Sequence, residues 1–468
     1  MELGFWSLVP PLLTIILALT TKNVFISLLI GILTGSLVLV GGAPIEGINN
    51  AIYAIAGSMS TGNTLIIGSI LITGAVIYLM EKSGGIEGFV NVVVRKMKLI
   101  KSKRGANLFT WLLGLAVFTS GTLSCMVTGA VSRPVNDALK VPHEKSAFIV
   151  HTTSTPWCVL FPFSGWLASM AGYLVSGGVP EGESVSMLFS SIFLNFYCIL
   201  AIVMVLVLAL LQKDFGPMAK AEKRAAETGL LDDPAHGPKE AREATTSGAK
   251  PRACNLLVPI GVLIAVMFGM LLYTGKGNIM EGAGTQALIW AVVSALLTIM
   301  VMTVAQKQFT VTEVINQMFK GMGNMLPIAF VLLFGFTMGG IVKSLDTGAY
   351  LSSLFQQLLS PALLPALTFL IAILISFATG TSMGTMAIMA VISLPMAYDM
   401  GSNIALVAGA MFGGSIFGDH CSHISDTTIM TCSTTGCDII DHVKTQAPYC
   451  ICLAVVSFLM YVVFGFVM

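Results

Sequence analysis

Apolar runs of roughly 20 residues, the length a helix needs to cross a bilayer core of about 30 Å, recur along the whole of this chain. They cover residues 5–20, 24–41, 64–80, 148–174, 186–211, 254–273, 285–305, 324–342, 403–431 and 448–468. Two further runs, 107–131 and 362–394, are interrupted by polar, glycine-bearing segments. Only 10% of the 468 residues are charged, against about 25% in an ordinary soluble domain. Strand-like alternation is absent, which argues against an outer-membrane barrel. The first run lacks a basic start and a small-residue cleavage site, and a second span follows it directly, so it is expected to be retained. The nine cysteines lie mostly in apolar stretches and read as buried thiols. Cys432 and Cys437 alone make a weak zinc pattern. The class is an all-α polytopic membrane protein, expected in a bacterial inner membrane with the lipid bilayer as its first partner.

Topology follows from where the 24 Lys and Arg residues fall. Seven lie in 81–106, among them Arg95, Lys96 and Lys98, and eight lie in 212–254. Arg133, Lys140 and Lys145 fall between them. The positive-inside rule puts all three loops in the cytoplasm. Segment 107–131 must then enter and return on one side, as a re-entrant hairpin. Residues 213–253, polar and rich in Gly, Pro and Ala, read as a flexible cytoplasmic linker between a first half, 1–212, and a second half, 254–468.

The halves match each other at a nearly constant offset. Gly74–Ser83 aligns with Gly335–Ser344, and Val131–Pro134 with Ile392–Pro395, at a shift of 261 residues; Phe118–Thr122 aligns with Phe377–Thr381 at 259. Ser154 and Ser164 fall on Ser415 and Ser425, again at 261. The loops 81–106 and 132–147 are basic, whereas their counterparts 343–361 and 395–402 carry only Lys343. The expectation is two inverted-topology repeats, each of about five transmembrane helices plus a re-entrant hairpin and a broken helix. Such repeats mark many secondary transporters, whose site lies at the repeat interface near the bilayer midplane.

Two pairs of breaks point to that site. The first pair is Thr119, Ser120, Gly121 and Thr122 against Thr379, Gly380, Thr381 and Ser382. Unwound backbone at membrane depth must line protein or a watery cavity, and hydroxyls can rebond the freed groups. The second pair is 151–165, holding His151, Ser154, Thr155, Pro156 and Pro162, against 413–428, holding Asp419, His420, Ser422, His423, Ser425, Asp426 and Thr427. The prolines are expected to break the first member. An ionisable side chain inside a span costs at least about 2.5–3.5 kcal/mol, so it is functional by default. If helical, Asp419, His423 and Asp426 share one face. Carboxylates beside hydroxyls and free carbonyls suit sodium, with Asp419, Asp426 and Ser425 as its candidate ligands, and one site that takes either sodium or a proton would give antiport. The histidines could relay protons or contact a solute. Zinc chemistry is the weaker reading, because H-x-x-H is not H-E-x-x-H and His143-Glu144 lacks the second histidine. No catalytic residue or cofactor beyond the sodium ion is expected, and no nucleic-acid partner.

The run Gly418-Asp419-His420-Cys421-Ser422-His423-Ile424-Ser425-Asp426-Thr427-Thr428 resembles the G-D-H-C-S-P-I-S-D-T-T signature of NhaC-type sodium/proton antiporters. Thr153–Trp157 and Thr379–Gly384 resemble further elements of that family. The resemblance implies a member of the ion-transporter superfamily, with scaffold and transport domains and paired hairpins. It also implies ion or coupling roles for Asp419, Ser425, Asp426 and Thr427. His423 departs from the usual proline. Similar proteins exchange organic acids such as malate and lactate, or carry amino acids, so a sodium- or proton-coupled carrier of a small organic acid or amino acid is the alternative. A dicarboxylate there would depend on helix N-termini and hydroxyls, with His151 and His423 adding charge when protonated. Homodimerisation is compatible with the resemblance, and no interface is legible in the sequence.

Overall fold

A computed structural model describes residues 4–94, 100–236, 250–278, 282–347, 350 and 360–468. Arg95, Lys96 and Lys98 of the first basic loop, and 237–249 of the linker, lie outside the described residues. No strand occurs among the described residues, and ten helices are long and apolar enough to cross a membrane.

Among the described residues, twenty α-helices follow in order. The first five are α1 (Val9–Thr21), α2 (Val24–Leu39), α3 (Pro44–Gly57), α4 (Thr61–Lys82) and α5 (Gly85–Val94). Next come α6 (Lys103–Ala116), α7 (Gly121–Ala138), α8 (His143–Leu160), α9 (Leu167–Ser176) and α10 (Ser184–Phe193). The middle of the chain forms α11 (Phe196–Leu211), α12 (Gly216–Thr228), α13 (Cys254–Thr274), α14 (Gly284–Ala305) and α15 (Val311–Ser344). The last are α16 (Leu364–Thr379), α17 (Ser382–Met400), α18 (Ile404–Cys421), α19 (Asp426–Thr435) and α20 (Ile439–Val467).

Local chemistry sets many of these starts. Asn23, Ser60, Ser102, Asn195, Asn403 and Asp438 each accept a backbone N–H of the first turn they precede. Thr310 and Glu313 form a reciprocal capping box that begins α15. Exposed apolar side chains such as Leu257, Leu297, Val301, Val455 and Val463 mark lipid-facing surfaces.

Several spans differ from the sequence reading. Residues 186–211 are two helices, because Asn195 caps α11 and ends the continuity with α10. Run 324–342 belongs to the longer α15. Pro156 does not break its helix: α8 runs through it to Leu160, and the break falls at 161–166. Run 403–431 breaks after Cys421, so Asp419 and Asp426 lie on two different helices and do not share a face with His423. Within the segment read as a flexible linker, α12 is ordered against α8 and α20, with Met218, Ala221 and Ala225 buried.

Two bodies of packing emerge. One is built on α4, which lies along both α14 and α15, with α13 against α14 and α1 and α2 alongside. The other joins α6, α7, α8 and α11 to α16, α18, α19 and α20. Helices α9 and α17 connect them through contacts with α15. The site lies where this second body faces α4 and α15.

Candidate functional site

Two short non-helical links separate paired helices, 117–120 between α6 and α7, and Gly380–Thr381 between α16 and α17. Each link packs on the break of the broken helix in its own half. Gly165 donates its N–H to the Thr119 carbonyl at 2.9 Å, and a Cβ there would lie 2.5 Å from that oxygen, so only glycine fits. Gly380 has φ +67°, and its missing Cβ leaves room for Ile424 and the Ser425 amide.

Asp419 closes the last turn of α18 and is 1% exposed. Its Oδ1 accepts from the Ser425 hydroxyl at 2.6 Å and its Oδ2 from the Thr427 hydroxyl at 2.8 Å. Ser425 and Thr427 lie 2.9 Å apart, and Thr428 donates to the Asp419 carbonyl at 3.3 Å. The recorded partners of this carboxylate are hydroxyls, and no Lys or Arg is among them. From the other half, His151 Nε2 lies 2.9 Å from the Thr427 hydroxyl. His151 Nδ1 lies 3.0 Å from His442 Nε2. His420 meets Tyr197 at 3.2 Å, and its carbonyl accepts from Gln446 at 2.8 Å.

Asp426 starts α19 and is exposed to a cavity of about 420 Å³. Its Oδ2 accepts from the Thr122 hydroxyl at 2.9 Å, a further bond between the halves. Thr119, Ser120, Thr122, Thr381 and Ser382 line the same cavity, with Thr427 at its edge toward Asp419. The two interrupted segments therefore meet at one cavity, as their matched positions in the sequence suggest.

The remaining candidates are less central. Ser422 is buried and accepts from the Ile424 amide at 3.5 Å, while His423 is exposed and does not line the cavity. Thr379 donates back to the Ile375 carbonyl. Thr155 lies 3.9 Å from Cys125 Sγ, and the Ser154 hydroxyl is buried without a partner. His442 and Gln446 escaped the sequence reading because it began the last span at 448, and Tyr197 because it lies inside the apolar run 186–211. The polar pair His442 and Gln446, one turn apart within α20, was the available signal. Among the described residues, the His, Cys, Asp and Glu groups that converge as metal ligands are His236, Asp438 and Asp441, away from Asp419. The zinc-hydrolase reading therefore finds no support at the site.

A buried carboxylate wrapped in hydroxyls between unwound segments of a helical membrane bundle defines a secondary transporter. The chain belongs to the Na+/H+ antiporter family, whose profile matches residues 157–466. It is 31% identical to an uncharacterized protein of Haemophilus influenzae over 98% of this chain and 91% of that one. The Na(+)/H(+) antiporter NhaC of Alkalihalophilus pseudofirmus is 31% identical over 31% of this chain and 33% of its own. The malate-2H(+)/Na(+)-lactate antiporter of Bacillus subtilis is 27% identical over 32% of each chain. The YdaH transporter of Alcanivorax borkumensis superposes with TM-score 0.60 over 90% of this chain and 89% of that one, at 16% identity, a likeness of fold alone.

Proposed function

We propose that sodium and protons compete for the Asp419 cluster, and that two inverted repeats expose it alternately to the two sides of the membrane. The enclosure of Asp419 carries this reading. A carboxylate withdrawn from water without a protein cation must be neutralised, and a proton or a sodium ion can do so, but not both at once. The Ser425 and Thr427 hydroxyls and the open backbone at 422–425 offer the oxygen ligands a hard cation prefers. Asp426, beside the cavity, is the carboxylate that an arriving ion meets first.

Helix boundaries support the repeat. Adding 261 to the residue numbers carries His143–Leu160 of α8 onto Ile404–Cys421 of α18, and Lys103 and Gly121, which start α6 and α7, onto Leu364 and Ser382, which start α16 and α17. The opposite charge of the flanking loops supports the inversion and a cytoplasmic linker. Purified protein in liposomes, given a sodium gradient and no organic solute, should move protons against it. Asp426→Asn should abolish that coupling while the protein still inserts and folds. Full exchange in this variant would remove Asp426 from the site.

A further inference from the structure

We propose that cations from the cytoplasm reach Asp426 through a second chamber, and that Glu81 at its mouth gathers them. This rests on the transport reading above and on the sidedness that the basic loops support. The chamber has a volume of about 400 Å³ and adjoins the Asp426 cavity, because Ile77, Ser120, Thr122 and Met325 line both. Such a space holds on the order of a dozen waters at roughly 30 Å³ each, so an ion can pass with much of its hydration shell.

Helix α4 sets the direction of the route. Gly74, Ile77, Tyr78 and Glu81 line the chamber, and their spacing puts them in one stripe of the helix. At 1.5 Å rise per residue, the stripe runs about 10 Å along α4. Ile77 touches the Asp426 cavity, whereas Glu81 lies in the last turn of α4, where the basic loop 81–106 begins. The positive-inside rule makes that end cytoplasmic. The two sides of the chamber differ. On one, α4 packs on α15 so closely that a Cβ on Gly74 or Gly321 would lie 2.6 Å from the other's carbonyl oxygen. On the other, Leu123 and Met126 of α7 and Met430 of α19 belong to the body that carries Asp419, so its movement past α4 opens or closes the route.

Charge makes the route selective. Among the described residues, Glu81 alone is charged in the lining of this chamber, and Asp426 alone in the cavity behind it. Both fixed charges on the path are carboxylates, which draw cations and repel anions. The mouth already receives a cation from the chain itself. Lys82 Nζ lies 3.2 Å from Glu81 Oε1 and 5.3 Å from the centre of the Tyr78 ring, so its ammonium sits between a carboxylate and an aromatic face. The two charged partners are half-buried, and a pair so open to water binds weakly. An arriving sodium ion displaces the ammonium from Glu81 and passes on to Asp426.

Everted membrane vesicles, whose outer surface is the cytoplasmic face, test the mouth when the full-length protein is made in a host lacking its own sodium/proton antiporters. Glu81→Gln should raise the KM for sodium-dependent collapse of a proton gradient at least threefold and keep the maximal rate within twofold. Glu81→Asp should restore the KM, and Lys82→Met, which frees the carboxylate, should shift it the other way. Added choline chloride should shrink the Glu81→Gln effect, because salt screens an accessible charge. An unchanged KM in both Glu81→Gln and Lys82→Met, or a lost maximal rate without a KM change, overturns the role of Glu81. With Cys254 and Cys452 replaced by serine, an impermeant maleimide should label Asn324→Cys, on the chamber wall, in everted vesicles and not in right-side-out ones. Labelling of right-side-out vesicles overturns the cytoplasmic route. If sodium moves no protons in the unsubstituted protein, the antiport reading falls instead, and the labelling alone decides the route.

Discussion

At the residue scale, Thr427 joins the two halves, because its hydroxyl donates to Asp419 and lies 2.9 Å from His151 Nε2. Hydrogen bonds to charged groups contribute about 1.5–3 kcal/mol. Thr427→Val should therefore weaken sodium binding roughly 10–100-fold, and Thr427→Ser should restore most of it. Sodium-dependent thermal shifts on the purified protein would measure both. If valine leaves the sodium response unchanged, the hydroxyl does not serve the ion. Asp419→Asn keeps the shape of the site but removes the charge on which the proposed competition of sodium and protons depends. It should lower sodium-driven proton movement in liposomes at least about tenfold, the effect of losing some 1.4 kcal/mol of binding.

At the scale of elements, the linker is fastened down. Lys145 of α8 and Asp214 before α12 form a 2.6 Å pair only 1% and 4% exposed, and Tyr449 of α20 donates to the same carboxylate at 2.8 Å. Arg224 donates to both oxygens of Glu144 at 2.9 Å. Removing one partner of a buried pair typically costs about 3–5 kcal/mol, because the other charge is stranded. Asp214→Ala should accordingly lower thermal stability far more than Glu227→Ala, whose 3.8 Å pair with Lys223 is exposed. Comparable melting shifts for the two would show that the linker is not held this way. His143, which heads α8 at the linker end, lies 2.7 Å from Asp232 and 3.0 Å from Asp137. Burial works against its charge, but the bonds to Asp137 and Asp232 outweigh it and push the pKa up from 6.5 to about 9. A raised folded-state pKa means the contact stabilises fully below about 6.5 and is lost as pH rises through about 9. Limited proteolysis of the linker should speed up above pH 9 in the native protein, and His143→Gln should remove that dependence.

At the scale of the whole molecule, the proposed inverted arrangement predicts that the loop after α7 and the loop after α17 lie on opposite sides of the membrane. Lys140 and Asp399, both exposed, report on the two loops. With the exposed Cys254 and Cys452 replaced by serine, a membrane-impermeant maleimide on intact cells should label Asp399→Cys and not Lys140→Cys. Labelling of both from outside would dissolve the inversion, and with it the alternating-access reading. The two packing bodies suit the proposed motion, since the Asp419 cluster, α6, α7 and α16 belong to one of them, while α4 and α15 of the other face it across the cavity.

What the amino-acid order determined by itself was whatever a bilayer enforces residue by residue. Apolar runs of spanning length had to become helices, because lipid offers unpaired backbone groups no partner. Polar breaks at matched positions, and aspartates inside an apolar span, had to face protein or water rather than lipid for the same reason. Tertiary structure decided where each break falls and which side chains it brings together. Pro156 read as a breaker, yet α8 passes through it, because one missing donor is tolerable inside a packed bundle. His423 and Asp426 looked like equal members of one helical face, but the turn after Cys421 leaves His423 outside and turns Asp426 toward the cavity. His151 and His442, 291 residues apart, became partners only through packing, since no local pattern records a contact between helices that meet once the chain has folded.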